Sequence, residues 1–308
     1  LRLIVERPEP HQSPNISNDA TQVCVSTSVS LPENLHKQLA REVRITREAG
    51  AGANQITNNE QQKMTMLDRF SAQADLYARH RIDYPAALYD WLLPQVAGRA
   101  RAWDCATGNG QVAAVLAGHF GQVEATDISA AQLAQAARQP NISYQQAPAE
   151  HTPFAAASFD LVTVAQALHW FDLPAFHAEV RRVLQPGGVV AEWGYGLLRI
   201  SPALDPLVQH FHNDTMRPYW DDNRWHITDE YARLPFPFAA VQQARFEVRR
   251  QWSAEWFLNY LRTWSSVVNY QQQRQQDPVL LLAEEVTRLW GPGEREVVFP
   301  VFARAGRR

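Results

Sequence analysis

A chain of 308 residues with 45% hydrophobic content and a formal net charge of −3 can bury one full α/β core with an appended subdomain. Its 29 basic and 32 acidic residues supply no basic field for nucleic acid and no polybasic membrane surface, and no uninterrupted apolar run reaches the length of a membrane span. The two cysteines, Cys24 and Cys105, cannot form a disulfide framework, so a reducing, cytoplasmic setting is expected, and no Cys/His cluster has metal-ligand spacing.

Residues 1–63 are rich in Asn, Gln, Ser and Glu and contain no aromatics, a composition that fits an extension that is disordered or loosely attached. Inside it Val23, Val25, Thr27, Val29 and Leu31 alternate with Cys24 and three serines, and Pro32 opens a helical pattern through Leu35, Leu39 and Val43. That pair resembles the opening of ribbon-helix-helix DNA-binding arms, the competing reading of the segment. From Phe70 the text becomes F-S-A-Q-A-D-L-Y-A-R-H-R-I-D-Y-P, and Pro85 starts an amphipathic helix carrying Leu88, Trp91 and Leu92.

The organising stretch comes next, Ala102 to Gln111, reading A-W-D-C-A-T-G-N-G-Q. A short apolar strand runs into two glycines and then into an alanine-rich helix pattern, the arrangement that nucleotide-like ligands use. Gly108 and Gly110 let the backbone approach a bound group with no Cβ in the way. Alone the loop is ambiguous, because Gly108, Gly110 and Ala113 also satisfy the G-x-G-x-x-A form of the dinucleotide fingerprint.

A helix over Val112–Phe120 and a second strand over Gln122–Thr126 lead to Asp127, 19 positions after Gly108, where a carboxylate can accept hydrogen bonds from both ribose hydroxyls. A third strand, Ile142–Gln146, enters A-P-A-E-H-T-P-F, and a buried-strand run over Phe159–Ala165 delivers Q-A-L-H-W-F at its carboxyl end. Leu173–Leu184 is a periodic helix, and L-Q-P-G-G turns it into a fifth strand at Val189–Trp193. Beyond Tyr195 the chain turns aromatic, with seven of ten tryptophans between Trp193 and Trp290, most of them expected to pack the interior. Phe246–Arg250 and Val297–Ala303 are patterned as the sixth and seventh strands.

An acidic residue at a strand's end followed by small-x-Gly-x-Gly, here Asp104, Ala106, Gly108 and Gly110, resembles class I S-adenosylmethionine (SAM)-dependent methyltransferases. The resemblance runs from about Phe70 onward, and the L-Q-P-G-G turn is a further recurrent feature of that family. Within it, Y-L-R-T-W-S at Tyr260–Ser265, the A-E-x-T-P-F turn and the closing F-P-V-F-A-R-A-G-R are similar to the group around trans-aconitate methyltransferase. The family implies a Rossmann-like, seven-stranded, mostly parallel sheet with helices on both faces. It implies a domain over residues 64–308, with a helical cap at about 197–240 and 253–292.

The same resemblance implies a cofactor set of Asp104, Ala106, Thr107, Gly108, Gly110, Gln111, Asp127, Ile128, Ala149, Glu150 and Gln166. Acceptor-binding candidates are Tyr77, Arg81, Tyr84, Trp170 and Arg262, and His169 is the candidate general base or substrate-orienting group. The implied activity is methyl transfer to a small-molecule acceptor, with a carboxylate as the candidate class; the oligomeric state is not readable. Two positions depart from the family pattern. Ala106 stands where glycine is usual, which suggests a slightly tighter turn, and Pro148 replaces a polar residue and brings no N–H. A noncatalytic SAM-fold binding protein and an NAD(P)-dependent oxidoreductase are the alternatives.

Overall fold

The computed structural model describes residues 82–308; the expectations for residues 1–63, for Tyr77 and for Arg81 lie outside the described residues. Pro85 stands at the N-cap of helix α1 (Ala86–Leu92), where its fixed φ costs nothing, and α1 buries Leu88, Tyr89 and Leu92. The strands are β1 (Arg101–Cys105), β2 (Gln122–Asp127), β3 (Ile142–Gln146), β4 (Phe159–Ala165), β5 (Leu184–Tyr195), β6 (Ala239–Trp252) and β7 (Arg295–Arg307). They form one seven-stranded sheet in the order β3-β2-β1-β4-β5-β7-β6. β1 to β5 pair in parallel, whereas β7 runs antiparallel to both neighbours. The strand order reverses between β1 and β4, so a crevice opens at their carboxyl ends.

Helices α2 (Gln111–Leu116), α3 (Ala130–Ala134) and α4 (Leu173–Val183) join the first five strands. Period-two alternation divides the strand residues between two cores. Ala102, Leu161, Val189 and Ala191 pack in one with Leu88 and Leu92 of α1, while Trp103, Val162, Val164 and Val190 pack in the other with Phe176, Val180 and Val183 of α4. Both faces are therefore covered, as a parallel sheet requires. Asp160 pins the entry of β1 by accepting from the backbone N–H groups of Ala100 and Arg101 at 2.8 and 2.9 Å.

Several boundaries differ from the sequence expectation. α2 stops at Leu116 rather than Phe120, because the Gly118 and His119 N–H groups turn back to the carbonyls of Val115 and Leu116. β5 begins at Leu184 instead of Val189. Leu184 pairs with Phe159 and Val189 with Leu161, so residues 185–188 loop out between two rungs, with Gly187 at φ +77°. β6 and β7 extend far beyond their apolar centres, since the added Gln and Arg positions join the ladder through backbone groups and leave their side chains at a largely solvated edge.

After β5 the chain forms α5 (Asp205–His210), a π-helical turn at Phe211–Thr215, single turns at Arg217–Tyr219 and Asp222–Arg224, and α6 (Trp225–Thr228). Between β6 and β7 lie α7 (Ala254–Arg262), α8 (Ser265–Arg274) and α9 (Leu280–Trp290). Trp220, Trp264 and Trp290 are buried in or beside these segments and Trp252 at the end of β6, so the packing reading of the tryptophans holds for them; Trp256 is an exception at 41% exposure. Among the described residues no helix is long and apolar enough to cross a membrane, and no cluster of metal ligands forms.

Candidate active site

The loop after β1 is built from left-handed residues, with Ala106 at φ +54°, Gly108 at +58° and Gly110 at +82°. Ala106 thus departs from the expected change: the turn is not merely tighter, but holds an L-residue in a conformation that costs roughly 1–2 kcal/mol. At Gly110 the lack of a side chain is a steric need as well, since a Cβ would sit 2.4 Å from the Tyr144 hydroxyl oxygen. At Gly108 the space is open, with no atom nearer than 3.9 Å to where a Cβ would stand.

Two carboxylates hold this loop. Asp104 is buried and accepts from the Thr107 hydroxyl, from the Thr163 hydroxyl at 2.8 Å and from the Ala113 N–H at 3.1 Å. Desolvation outweighs those bonds and raises its pKa from 3.8 to about 6. Asp127 takes the Gly108 N–H on one oxygen and the Ser129 N–H on the other, each at 2.8 Å, and burial raises its pKa too. It therefore latches the loop and does not cap α3; Ser129 is the cap, accepting from the Gln132 N–H.

On the β4 side, Gln166 is left-handed at φ +57° and continues the ladder past Ala165. Its N–H donates to the Trp193 carbonyl at 2.8 Å, and its side-chain Oε1 accepts from the Tyr195 N–H at 2.8 Å. The carboxamide acts as an extra rung to β5, so its oxygen is committed there. Gly194 permits this, because a Cβ would lie 2.7 Å from that oxygen and from Phe302. The result is a cleft walled by Ile82, Tyr84 and Tyr195, floored by Asp104, Thr107 and Gly108, and closed by Ala165 and Gln166.

His169 stands on the single turn Leu168–Trp170 just beyond β4. Its Nδ1 lies 3.3 Å from the Tyr231 hydroxyl, whose oxygen is also held by the Leu168 backbone. With that N–H donated to the phenol oxygen, the phenol proton goes to Nδ1, which assigns the ring proton of His169 to Nε2. Burial, and then the charge of Arg224, lowers the His169 pKa to about 3. The imidazole is neutral and weakly basic, suited to donating a hydrogen bond from Nε2 rather than to removing a proton.

Comparison with known proteins decides between the cofactors that such a loop serves. A family model described as a methyltransferase domain matches residues 103–191. A solved structure from Anaeromyxobacter dehalogenans, assigned as a type II methyltransferase, is 39% identical, with 74% of this chain and 97% of that one covered and a TM-score of 0.68. The chain belongs to the class I, SAM-dependent methyltransferase family. A Dictyostelium discoideum protein assigned as a methyltransferase is 28% identical over 76% of this chain and 93% of the relative. Malonyl-[acyl-carrier protein] O-methyltransferase of Enterobacter lignolyticus is 35% identical over 42% of this chain and 53% of the relative.

In this methyltransferase the expected cofactor residues divide by position. Asp104, Ala106, Thr107, Gly108, Gln111 and Gln166 line the cleft together with Tyr84. Asp127 and Ile128 sit at the end of β2, where the Ile128 carbonyl accepts from Gln146 at 2.8 Å. Ala149 is buried, and the Glu150 carboxylate accepts from the Asp172 N–H at 3.0 Å, which engages it at the start of α4. Trp170 is the ring neighbour of His169 at 5.0 Å. Arg262 is not brought to the cleft: its guanidinium binds Asp277 and Asn259, each at 2.8 Å. Sequence reasoning missed Thr163, which orders Asp104 from the middle of an apolar strand, and Tyr195, whose only signal was its place at the end of β5.

The buried imidazoles give the stability a pH dependence. His169 and His212, with pKa values lowered from 6.5 to about 3 and about 4, are neutral when folded and protonated when unfolded across the intervening range. The unfolded state then binds more protons, so this contribution is present above pH 6.5 and is lost as the pH falls, by about 1.4 kcal/mol per pH unit for each group. Asp104 acts in the opposite sense, because its raised pKa makes the folded state the stronger proton binder between about 4 and 6. Urea titrations from pH 4.5 to 6.5 are expected to show a slope about one proton shallower in His169→Asn than in the wild type. An unchanged slope would mean that His169 charges in place.

Proposed function

We propose that this methyltransferase moves the methyl group of SAM onto a small-molecule acceptor whose class is a carboxylate. The observation that carries the cofactor part is the pair of loop-holding carboxylates. The Asp127 carboxylate accepts the Gly108 and Ser129 N–H groups on separate oxygens and is also held by the Ile128 backbone, and it stands at the end of β2 where a carboxylate can accept from the hydroxyls of a ribose. Asp104 lies buried in the cleft floor, where its negative charge suits an ammonium group. The left-handed Gly108 leaves open space beside them.

When bound, SAM supplies a methyl group already activated by its sulfonium. The protein's tasks are then to exclude water and align the nucleophile, with no strong base required. Tyr84 and Tyr195 wall the cleft with apolar rings, Gln166 fixes Tyr195 by its surrogate rung, and the Nε2–H of His169 orients the acceptor. The helical segments within 197–240 and 253–292 serve as the cap, and residues 64–308 form the catalytic domain. A carboxylate needs no deprotonation at neutral pH, which matches a histidine held near pKa 3. The likeness of Tyr260–Ser265 to the trans-aconitate methyltransferase group and the partial match to an O-methyltransferase of malonyl-[acyl-carrier protein] support the same acceptor class.

The test is incubation of the full chain with SAM and a panel of small carboxylic acids, following S-adenosylhomocysteine by mass spectrometry. Turnover with at least one acid and not with its amide is expected. SAM binding without turnover on any acceptor class would instead leave a binding protein, and NADH binding in place of SAM would revive the oxidoreductase.

A further inference from the structure

Thr163 interrupts the apolar centre of β4, between Val162 and Val164, at a fully buried position. The register of the parallel ladder sets it beside Asp104 on β1 and Ala191 on β5. Its hydroxyl has two oxygens in reach, Asp104 Oδ1 at 2.8 Å and the Trp103 carbonyl at 3.4 Å, and its single proton goes to the nearer, charged one. The Thr107 hydroxyl and the Ala113 N–H both donate to the other carboxylate oxygen, Oδ2. Thr163 is therefore the donor that Oδ1 has among the described residues, and it comes from β4, across the point where the strand order reverses.

Asp104 lines the cleft and is nevertheless buried, so its charge depends on the groups that touch it. Desolvation is the largest influence and favours the neutral acid. The hydroxyls of Thr107 and Thr163 and the Ala113 N–H pull the other way, while the like charge of Asp127 on β2 reinforces the first effect. The balance raises the carboxyl pKa to about 6, close enough to neutrality that one hydrogen bond decides how much of it is ionised. The other ionisable groups that feel its charge do not titrate in this range. Burial, and then the Asp104 charge, push up the phenols of Tyr89 on α1 and Tyr144 on β3 and the thiol of Cys105 on β1. A valine at 163 would fill the same volume and leave Oδ1 without its donor.

We propose that Thr163 is a positioning residue for cofactor binding: by donating to Asp104 it keeps that carboxylate oriented and charged beneath the cleft, where it attracts the ammonium group of the cofactor. This rests on the methyltransferase reading and deepens it, because it makes the hold on the amino-acid end of SAM depend on a hydroxyl outside the glycine loop. Attraction of the ammonium requires the ionised carboxylate, so the bound ammonium and a proton on Asp104 oppose each other. Affinity for that end of the cofactor therefore rises with pH through the Asp104 titration and levels off above it. Without the Thr163 donor the charged form is less favoured, and the rise moves to higher pH.

The test is calorimetric titration of the full chain from pH 5 to 8 with S-adenosylhomocysteine, which carries the ammonium, and with 5′-methylthioadenosine, which shares the adenosine and lacks the amino-acid end. Asp127 and the ribose contribute alike to both ligands, so the ratio of the two affinities isolates Asp104. In the wild type that ratio is expected to fall about tenfold from pH 8 to pH 5, as a carboxyl titrating near 6 gains its proton. In Thr163→Val the midpoint of the fall is expected at least about half a pH unit higher, and Thr163→Ser, which keeps the hydroxyl, is expected to follow the wild type. Affinity for 5′-methylthioadenosine should stay within twofold in both, which also reports that they fold. If Thr163→Val does not fold, Thr163→Ala decides by the same criterion. A ratio independent of pH in the wild type, a smaller midpoint shift in the folded variant, or an equal shift in Thr163→Ser overturns the assignment while leaving the methyltransferase reading standing. Failure of the wild type to bind S-adenosylhomocysteine brings down both.

Discussion

Replacing Asp127 by alanine is expected to weaken SAM binding by about two orders of magnitude. The carboxylate is asked to accept from two ribose hydroxyls, and hydrogen bonds to a charged acceptor contribute about 1.5–3 kcal/mol each. Losing both amounts to at least about 3 kcal/mol, and every 1.4 kcal/mol is roughly tenfold. The same side chain also ties down the Gly108 and Ser129 N–H groups, so the alanine variant loses order in the loop as well as the ribose contact. Asp127→Asn separates the two effects. Its amide retains one acceptor oxygen and is expected to fall between wild type and alanine. Titration calorimetry with SAM is the measurement, and alanine-variant affinity within fivefold of wild type would remove Asp127 from the cofactor site.

Replacing Arg304 by methionine is expected to cost about 3–5 kcal/mol of folding stability, the usual consequence of stranding one member of a buried ion pair. Glu192 on β5 is fully buried and faces Arg304 across the β5–β7 ladder, with Nε to Oε2 at 2.8 Å. Arg304 also donates to the carbonyls of Tyr231 and Leu234 at 3.1 and 3.0 Å and lies over the Phe236 ring at 4.7 Å. Without it the carboxylate keeps the His177 imidazole at 3.8 Å. A second change, Glu192→Gln, is expected to restore part of the loss by removing the stranded charge, though the carbonyls of Tyr231, Leu234 and Pro235 still lose their donor. Urea unfolding of the two variants measures both steps. A single-variant loss under 1 kcal/mol would show that water reaches Glu192.

The parallel half of this fold was legible because its signals are local. Alternation between two buried faces, two glycines at a tight turn and a carboxylate at the end of β2 each follow from a few adjacent residues, and β1 to β4 lie within a residue of where the pattern put them. The antiparallel edge was legible only at its centre. Residues such as Gln242, Gln243 and Arg249 are strand because β7 offers them backbone partners, which no property of the side chains announces. The same limit applied at the site. Asp104 and Asp127 could be found from their places beside the glycines, whereas Asn223 comes to the His169 carbonyl through a turn more than fifty residues later and one amide hydrogen bond. Arg262 was a candidate as a cation for a carboxylate acceptor, and its partner Asp277 lies in the connection between α8 and α9.

The position of β7 makes the order of assembly part of this protein's chemistry. β6 joins the sheet only through β7, and the two pair from Trp252↔Arg295 outward, so α7, α8 and α9 together form the connection of an outsized hairpin. Closing that connection costs chain entropy before any rung rewards it. The slow event in refolding should therefore be the capture of β7 between β5 and β6, with the nucleotide-type crevice between β1 and β4 already formed. An intermediate of that kind would hold cofactor weakly, without the wall that Tyr195 and its neighbours on β5 provide once Val301 and Phe302 are seated against them. Cofactor present during refolding would then favour the finished sheet by binding it more tightly than its precursor.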